Sequence, residues 1–504
     1  MRYLFFLTAF FALLALTNSF SIAAEEAKKE NEKTTKSEAA PNFPASKPEL
    51  EVINLTVYPA PLPRPMLKYR LLPTYLEMKP GNAAPLYYRF FFGMKRIDMG
   101  NPDMQITIDG WLNTPIQELP QQEVNKMLQI YSNKEIEYAT YRMECDWDLP
   151  FRESNSPYDI ILEDMQTCRE YGRVIALKAR MQIAQRNPIE ALRYLQMGYA
   201  LSGHVAKVPC LVCTAIGNAI ANMMNDQLLD LCQGKNAPNL YWTLTILPRP
   251  FIDFHKAIDY ESVSVSMQFK ELLSARTESH SVEQWQDLWI SFIEKYNDYV
   301  EMIQGSQGLS PNKNKFTIIE PRKVLKERYA FVCEQLKTRG WTEKDIEAKA
   351  PAHLLLLYCA ELYDEIRDEE MKWTGVPYSQ LPVDFVEGQK EYYRRFSEKE
   401  IVPLSNIACS YYTIIAGQVR VEQTIAVLRT IEALRLYASN HEGKLPKNME
   451  DIKEVPVPLD PWTNKAISYR LDGDIAVISV KYPPWKQAEL PKWATREYHI
   501  KIAK

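Results

Sequence analysis

The sequence predicts a mainly α-helical protein: a large domain of helical hairpins, followed by a small α+β tail made of a long helix and an antiparallel hairpin. Only 17 of the 504 residues are glycine, a low share that disfavours glycine-dependent turns and phosphate loops. Aromatic residues make up 11% of the chain, which suits well-filled interfaces between helices. Apolar residues recur at helical spacing through most of the chain and change to strict alternation only after Gly443.

Residues 1–23 have the three parts of a cleavable signal peptide. Arg2 precedes an apolar stretch from Leu4 to Leu16, and Ser21 to Ala23 supplies the small residues before a cleavage site. The stretch is shorter than the roughly 20 residues of a membrane-spanning helix. The first cysteine is Cys145, which excludes a lipid anchor at the cleavage site. We therefore expect export, periplasmic or extracellular, with cleavage near Ala23 and no integral membrane span afterwards.

Two segments precede the helical domain. Residues 24–48 are charged and small and are expected to form a disordered leader, because they cannot bury enough apolar surface to fold. Residues 49–114 are expected to be extended and to pack on the next domain. The alternating Pro59, Pro61, Pro63 and Pro65 favour extended backbone. In the apolar and aromatic stretch that follows, Pro73, Pro80 and Pro85 speak against a long helix.

Residues 115–418 are predicted to form an α-helical domain. Its clearest part is a pair of helices, 172–187 and 188–205, in which Asn187 is a good N-cap and Pro188 fits the first turn of the second helix. Large and small apolar residues alternate along both. This pair resembles one tetratricopeptide unit, so the domain is predicted to be either irregular or tetratricopeptide-like. Further helices are predicted at 210–231, 283–304, 320–338, 351–373 and 404–438, with a hinge loop at 305–315.

Residues 419–504 are predicted to form the α+β tail. A long helix ends near Asn440, and two alternating runs flank Asp472-Gly473, a typical hairpin turn. A final strand is predicted at 495–503. Part of this region resembles the soluble part of type II secretion pseudopilins, and the matching residues are Tyr437, Gly443, Leu445, Pro446, Asp460, Pro461, Trp462, Asn464 and Tyr469.

That resemblance implies a helix leading into a hairpin, but the family's assembly mechanism does not follow. Pseudopilins begin with a processed hydrophobic helix that drives filament formation, whereas here the similar element lies at the far end of a chain with an ordinary signal. A calcium site is not implied either, since no ligand set matches. The chain as a whole also resembles a family of large uncharacterised exported bacterial proteins, through Leu67–Arg89 and Asn239–Asp259. This second resemblance implies a non-enzymatic or unassigned envelope role.

The cysteines offer one pair at motif spacing, Cys210 and Cys213. A redox site would need a βαβ context, which is missing, and a zinc site would need a second pair besides the nearby His204. Buried structural cysteines are the favoured interpretation, and redox and metal roles stay open. The remaining cysteines are scattered singly: Cys145, Cys168, Cys232, Cys333, Cys359 and Cys409.

The sequence has no H-E-x-x-H, G-x-S-x-G, G-x-x-x-x-G-K-[ST] or G-x-G-x-x-G motif. We therefore predict no catalytic, cofactor-binding or metal-binding residues and no cofactor. A formal charge of −4 gives no reason to expect nucleic acid as a partner. The acidic run 361–370 places Asp364 and Asp368 on one helix face, where a solvated surface is favoured over a paired-carboxylate site.

One segment of the tail is a candidate binding surface. Tyr482, Trp485 and Trp493 lie among lysines, a mixture that suits stacking on sugars or a protein interface, with packing on the hairpin as the alternative. The expected function is that of an exported, non-enzymatic interaction or scaffold protein of the cell envelope, with another envelope protein or a polysaccharide as partner. The alternative is a secreted hydrolase of cell-wall or polysaccharide substrate, which would require carboxylates from distant positions to converge in the fold.

Overall fold

A computed structural model describes residues 49–94, 102–131, 134–151, a few positions between 153 and 160, and then 162–307, 318–382, 385–407, 411–481 and 493–503. The predicted signal peptide and leader, and most of the predicted hinge loop 305–315, lie outside these residues. The chain forms two compact units that are discontinuous in sequence. The larger one contains the described parts of 49–148, 162–256 and 412–503, and the smaller one those of 149–161 and 257–411.

Helices make up most of the described chain, as predicted. The helices of the larger unit are α1 (Ala84–Met94), α2 (Pro102–Asn113), α3 (Gln121–Ile130), α4 (Lys134–Thr140), α5 (Glu163–Ala184), α6 (Pro188–Val205), α7 (Leu211–Leu231) and α8 (Tyr241–Thr245). Two helices each include a unit boundary: α9 (His255–Gln268) and α16 (Tyr411–Asn440). The helices of the smaller unit are α10 (Lys270–Thr277), α11 (Val282–Gln307), α12 (Pro321–Thr338), α13 (Glu343–Glu347), α14 (Pro351–Met371) and α15 (Phe385–Ser397).

The strands all belong to the larger unit: β1 (Glu49–Val57), β2 (Lys79–Asn82), β3 (Arg142–Glu144), β4 (Leu459–Asp460), β5 (Lys465–Ala466), β6 (Ser468–Asp472), β7 (Ile475–Lys481) and β8 (Trp493–Ile502). The main sheet has the order β1-β8-β7-β6. The hairpin β6–β7 and the final antiparallel strand β8 confirm the predicted tail. Strand β1, which pairs with β8 in parallel, was not predicted.

The predicted helical pair is confirmed as α5 and α6, and α7 packs on both. The side chain of Asn187 accepts a hydrogen bond from the backbone N–H of Glu190 and caps α6, which begins at Pro188. Glycines allow α6 and α7 to approach each other closely. A Cβ atom at Gly198 would overlap the side chain of Met224, and one at Gly217 would lie 2.9 Å from the Cβ atom of Ala206.

Residues 49–114 are less extended than expected. β1 is extended, but α1 and α2 are helices of 11 and 12 residues. The prolines do not prevent these helices because they fall in the first turns: Pro85 is the second residue of α1, and Pro102 is the first of α2. A first turn tolerates proline, because its N–H groups have no partner within the helix.

The smaller unit has its own core, formed where α10, α11 and α12 pack against α14. Its buried centre includes Trp289, Tyr296, Leu355 and Tyr358.

The predicted single helix 404–438 is wrong at its start, because residues 404–406 form a separate 3₁₀ turn. The carboxylate of Glu400 accepts hydrogen bonds from the backbone N–H and the hydroxyl of Ser405, at 2.7 and 2.6 Å, and these bonds stabilise the turn. No helix in the described chain is long and apolar enough to cross a membrane.

Candidate functional site

The cysteine pair singled out in the sequence lies in the larger unit at the start of α7. Cys210 is the residue before the helix and Cys213 is in its first turn, and both are buried. Among the described residues no group of three or more His, Cys, Asp or Glu side chains is arranged to hold a metal ion. Burial also raises the pKa of other thiols, that of Cys145 to about 12, which keeps them protonated. The burial of Cys210 and Cys213 is what structural cysteines require.

In the acidic run 361–370 of α14, Asp364 and Asp368 form ion pairs with arginines. Asp364 forms ion pairs with Arg276 and Arg367, and Asp368 pairs with Arg367. Glu370 differs from the expected solvated residues, because it is buried and accepts a hydrogen bond from the hydroxyl of Tyr393.

The side chains of the aromatic candidates in the tail are not described. Tyr482 and Trp485 lie outside the described residues, and only the backbone of Trp493 is described, as the first residue of β8.

A different polar site lies in the larger unit, on α7. This helix is mostly apolar, but Asn218, Asn222, Asp226 and Asp230 follow one another at four-residue spacing. Residues four apart share one helix face, so these side chains form a polar stripe along α7. Asn218 is buried, Asn222 is half-buried and Asp226 is exposed, so the stripe runs from the core of the unit to its surface.

The main sheet contributes an ion pair to the same region. Glu51 of β1 and Arg496 of β8 are directly opposite each other in the parallel register, and their side chains form an ion pair of 2.6 Å. Arg496 lies on the same face of β8 as the buried Tyr498 and Ile500, because side chains two residues apart share a face. The pair is therefore on the inner face of the sheet.

Helix α16 brings a third set of polar groups. The side-chain amide of Gln423 donates hydrogen bonds to the Asp460 carboxylate at 2.9 Å and to the backbone carbonyl of Lys481 at 3.0 Å. Lys481 is the last residue of β7 and pairs with Thr495, next to Arg496. Gln423 thus contacts the end of the sheet that carries the Glu51–Arg496 pair. Arg420 precedes it by about one helical turn.

Electrostatic interactions connect these elements around Asp226. Desolvation raises the pKa of Asp226 to about 6, while Arg496 and Arg420 act to lower it and Asp230 and Glu51 act to raise it. The side chain is nevertheless exposed to solvent. We call the group Glu51, Asn222, Asp226, Arg420, Gln423 and Arg496 the Asp226 site.

Asp226 differs from the other two carboxylates nearby. Asp230 is ion-paired with Arg180, whose guanidinium also donates to the Gln227 side chain and to the backbone carbonyl of Thr114. Glu51 is ion-paired with Arg496. Within the described chain, Asp226 takes part in no ion pair or hydrogen bond. One carboxylate of the three is therefore available to a ligand.

Buried side-chain amides with incomplete hydrogen bonding lie on the same two helices. Four atoms have no hydrogen-bond partner among the protein groups: Asn218 Oδ1 and Asn225 Nδ2 on α7, and Gln418 Oε1 and Gln423 Oε1 on α16. Asn218 approaches the start of α16, where a Cβ atom at Gly417 would lie 3.7 Å from its side-chain nitrogen. Each unsatisfied buried group costs about 1–3 kcal/mol.

The Asp226 site was not predicted from the sequence. The available signal was the polar stripe of α7, since polar residues at four-residue spacing in an otherwise apolar helix need partners. The Glu51–Arg496 ion pair could not be predicted, because nothing local in the sequence indicates that β1 pairs with a strand at the other end of the chain.

No protein-family model, no curated protein and no solved structure matches this chain.

Proposed function

We propose that the chain is an exported protein of the cell envelope that binds a partner and does not catalyse a reaction. The observation that carries this proposal is the pairing at the Asp226 site. Of the three carboxylates in this region, Asp230 is ion-paired with Arg180 and Glu51 with Arg496, and Asp226 forms no ion pair within the described chain. The site therefore offers a ligand one carboxylate and surrounding donors.

This arrangement favours binding over hydrolysis for a chemical reason. Glycoside hydrolysis by carboxylates needs two of them, one as acid and one as base or nucleophile. Asp230 and Glu51 are already engaged in ion pairs with Arg180 and Arg496, so only Asp226 is left to act on a substrate. The described residues also provide no metal-binding group that could activate water instead.

Exposed apolar side chains further support a protein partner. The most exposed large apolar residues of the described chain lie in one stretch of the larger unit: Leu76 at 89%, Tyr75 at 79%, Phe92 at 77% and Ile106 at 66%. A partner that covered these side chains would remove apolar surface from water, which is favourable.

The export step of the proposal rests on the sequence of residues 1–23. We also propose that the C-terminal tail keeps the pseudopilin-like arrangement and serves as a docking module. Its support is the helix that ends at Asn440, Gly443 in the left-handed region at φ 78°, and the hairpin that follows. The export step is tested by native purification, which should yield a mature chain that begins at Ala24. A retained Met1 would contradict signal cleavage.

The binding proposal is tested by affinity capture from envelope fractions together with a turnover assay on purified wall polymers. The wild-type chain should recover a defined partner, and Asp226→Ala should recover less, while polymers incubated with either protein should release no new reducing ends. A matched control is Asp472→Asn, which changes an exposed aspartate at the end of β6. Release of reducing ends by the wild type would sink the binding proposal.

One observation favours the alternative function, a secreted hydrolase of cell-wall or polysaccharide substrate. A carboxylic acid with a pKa of about 6 is suited to general acid catalysis near neutral pH, and Asp226 has such a pKa. If the chain is a hydrolase, Asp226→Asn should abolish turnover and Asp472→Asn should not.

A further inference from the structure

Arg429 of α16 is a buried arginine without an acidic partner. The described chain buries six arginine side chains, and five of them form an ion pair with a carboxylate: Arg169, Arg173, Arg180, Arg435 and Arg496. Arg429 is 7% exposed and forms no ion pair within the described chain. A buried charge is costly unless an opposite charge compensates it. Arg429 therefore places an uncompensated positive charge in the larger unit.

Neutral groups hold the guanidinium of Arg429 in one position. Its Nε atom donates to the hydroxyl of Thr245 at 3.0 Å, and its Nη2 atom donates to the hydroxyl of Tyr241 at 3.2 Å. The ring of Tyr241 lies 5.3 Å from the guanidinium carbon and adds a cation–π contact. The third nitrogen, Nη1, donates to no group of the described chain and is not enclosed by protein. The end of the guanidinium that carries Nη1 is therefore available to a ligand.

A second arginine lies close to this end of α8. Thr245 contacts Arg429, and the backbone N–H of Phe251 donates to the carboxylate of Glu422 at 2.7 Å. The turn between Thr245 and Phe251 thus follows α16 from Arg429 to Glu422, and Arg249 is in this turn. Arg249 is exposed and forms no ion pair among the described residues. Desolvation lowers the pKa of Arg429, and the positive charge of Arg249 acts in the same direction.

Glu422, the carboxylate that this turn contacts, does not compensate Arg429. The two residues are seven positions apart on α16, which is about 10 Å along the helix axis. Glu422 is 9% exposed, and its Oε1 atom accepts the hydrogen bond from Phe251. Burial raises the pKa of Glu422, against the lowering effect of the Phe251 N–H and of Arg249. The charge in excess beside Arg429 is therefore positive, and an anionic group compensates it.

We propose that Arg429 and Arg249 form a binding site for an oxyanion, the carboxylate or phosphate group of a ligand. We call Tyr241, Thr245, Arg249 and Arg429 the Arg429 site. Nη1 and the second N–H of Nη2 form a planar fork, which matches two oxygens of a carboxylate or phosphate. Arg249 supplies a second positive charge on the solvent side. This site is separate from the Asp226 site and goes beyond the binding function proposed for it.

The test is a titration of the full mature chain with sodium acetate and, separately, with inorganic phosphate, each at constant ionic strength against sodium chloride. The melting temperature is the readout, because a ligand that binds only the folded state raises it with the ligand's own affinity. We expect at least one oxyanion to raise the melting temperature saturably above the chloride reference. The acetate arm identifies a carboxylate-bearing ligand, and the phosphate arm identifies a phosphate-bearing one.

Two variants assign the binding to the site. Arg429→Gln keeps a donor for the Thr245 hydroxyl but loses the charge, and it should weaken oxyanion binding about tenfold or more. Arg249→Gln changes an exposed side chain and should weaken binding about two- to fivefold. The matched control is Arg322→Gln, which changes an exposed arginine of α12 in the smaller unit and should bind as the wild type does.

Two results would overturn the inference: neither oxyanion gives a saturable shift above chloride, or Arg249→Gln and Arg429→Gln both bind as tightly as the wild type. If Arg429→Gln does not fold, unchanged affinity in Arg249→Gln overturns it alone. Capture of an envelope partner through the Asp226 site is unaffected by either result, so failure of this site is distinguishable from failure of the proposed function.

Discussion

Glu51 and Arg496 are 445 residues apart in the sequence and form a 2.6 Å ion pair between the parallel strands β1 and β8. The pair joins the first described strand of the chain to the last, and both of its charges act on Asp226. Both the sheet and the site therefore depend on contacts between the two ends of the described chain.

Removing Arg496 should destabilise the larger unit more than removing a comparable arginine on the outer face of the same sheet. Arg496→Ala leaves Glu51 without its partner on the inner face, and we expect a loss of about 2 kcal/mol in the free energy of unfolding. Arg470→Ala removes a pair with Glu497 in which the arginine side chain is 54% exposed, and it should have a smaller effect. Urea unfolding of both variants measures the difference; equal losses would contradict the assigned role of the pair.

Asp226 should make the stability of the protein fall as the pH rises through the weakly acidic range. Its folded-state pKa of about 6 lies above the ordinary value of 3.8, so the folded state holds this proton more tightly than the unfolded state does. The cost of ionisation is absent below about pH 4 and complete above about pH 6. Asp226→Asn should therefore raise the melting temperature at pH 7.5 and leave it nearly unchanged at pH 4. An unchanged melting temperature at pH 7.5 would show that Asp226 is not desolvated.

Glu400 should produce a similar pH dependence in the smaller unit. Burial raises its pKa from 4.5 to about 7, against the lowering effect of hydrogen bonds from Ser405 and Leu404. Ionisation above pH 7 then costs up to about 3 kcal/mol, and this cost disappears as the pH falls towards 4.5. Glu400→Gln keeps an acceptor for Ser405 and should slow hydrogen exchange in residues 351–371 at pH 7.5.

The control for Glu400 is the removal of its hydrogen-bond donor. Ser405→Ala should raise the pKa of Glu400 further and destabilise the smaller unit at pH 7.5, in contrast to Glu400→Gln. Faster exchange in both variants would mean that the ionised carboxylate of Glu400 is favourable in the folded protein, contrary to the sign expected here.

Two glycines of α6 should respond in opposite directions to the same substitution. A Cβ atom at Gly198 would overlap Met224 of α7, whereas one at Gly203 has no atom within 4 Å outside its own helix. Gly198→Ala should cost about 1–3 kcal/mol by forcing the two helices apart or displacing Met224. Gly203→Ala should stabilise the protein by about 0.5–1 kcal/mol through higher helix propensity. Chemical denaturation of the two variants compares them directly, and a stabilising Gly198→Ala would contradict the close contact.

The sequence predicted the elements whose signals are local. The α5–α6 hairpin follows from alternating large and small residues with Asn187 as cap, and the β6–β7 hairpin follows from alternation around Asp472-Gly473. Both depend on residues within a few turns or strands of each other, which periodicity and turn chemistry can detect. The helix α1 was missed because Pro85 was interpreted as a helix breaker and not as a first-turn residue.

The candidate site could not be predicted in the same way. Its groups come from β1, α7, α16 and β8, and no motif joins residues as distant as Glu51 and Arg496. Composition and spacing indicated where the helices are, but pairing of an N-terminal with a C-terminal strand is set by the packing of the whole unit. Only the polar stripe of α7 was visible in the sequence, and by itself it does not reveal what lies opposite.

The most direct test of the central claim, that the Asp226 site binds and does not cleave, combines both readouts in one tube. Wild type, Asp226→Ala and Asp472→Asn are incubated with insoluble envelope polysaccharide, and bound protein and new reducing ends are measured after centrifugation. We predict that wild type and Asp472→Asn sediment with the polymer, that Asp226→Ala stays largely in the supernatant, and that reducing ends do not increase. Release of reducing ends by the wild type that is lost in Asp226→Ala would contradict the claim and assign the site to a hydrolase.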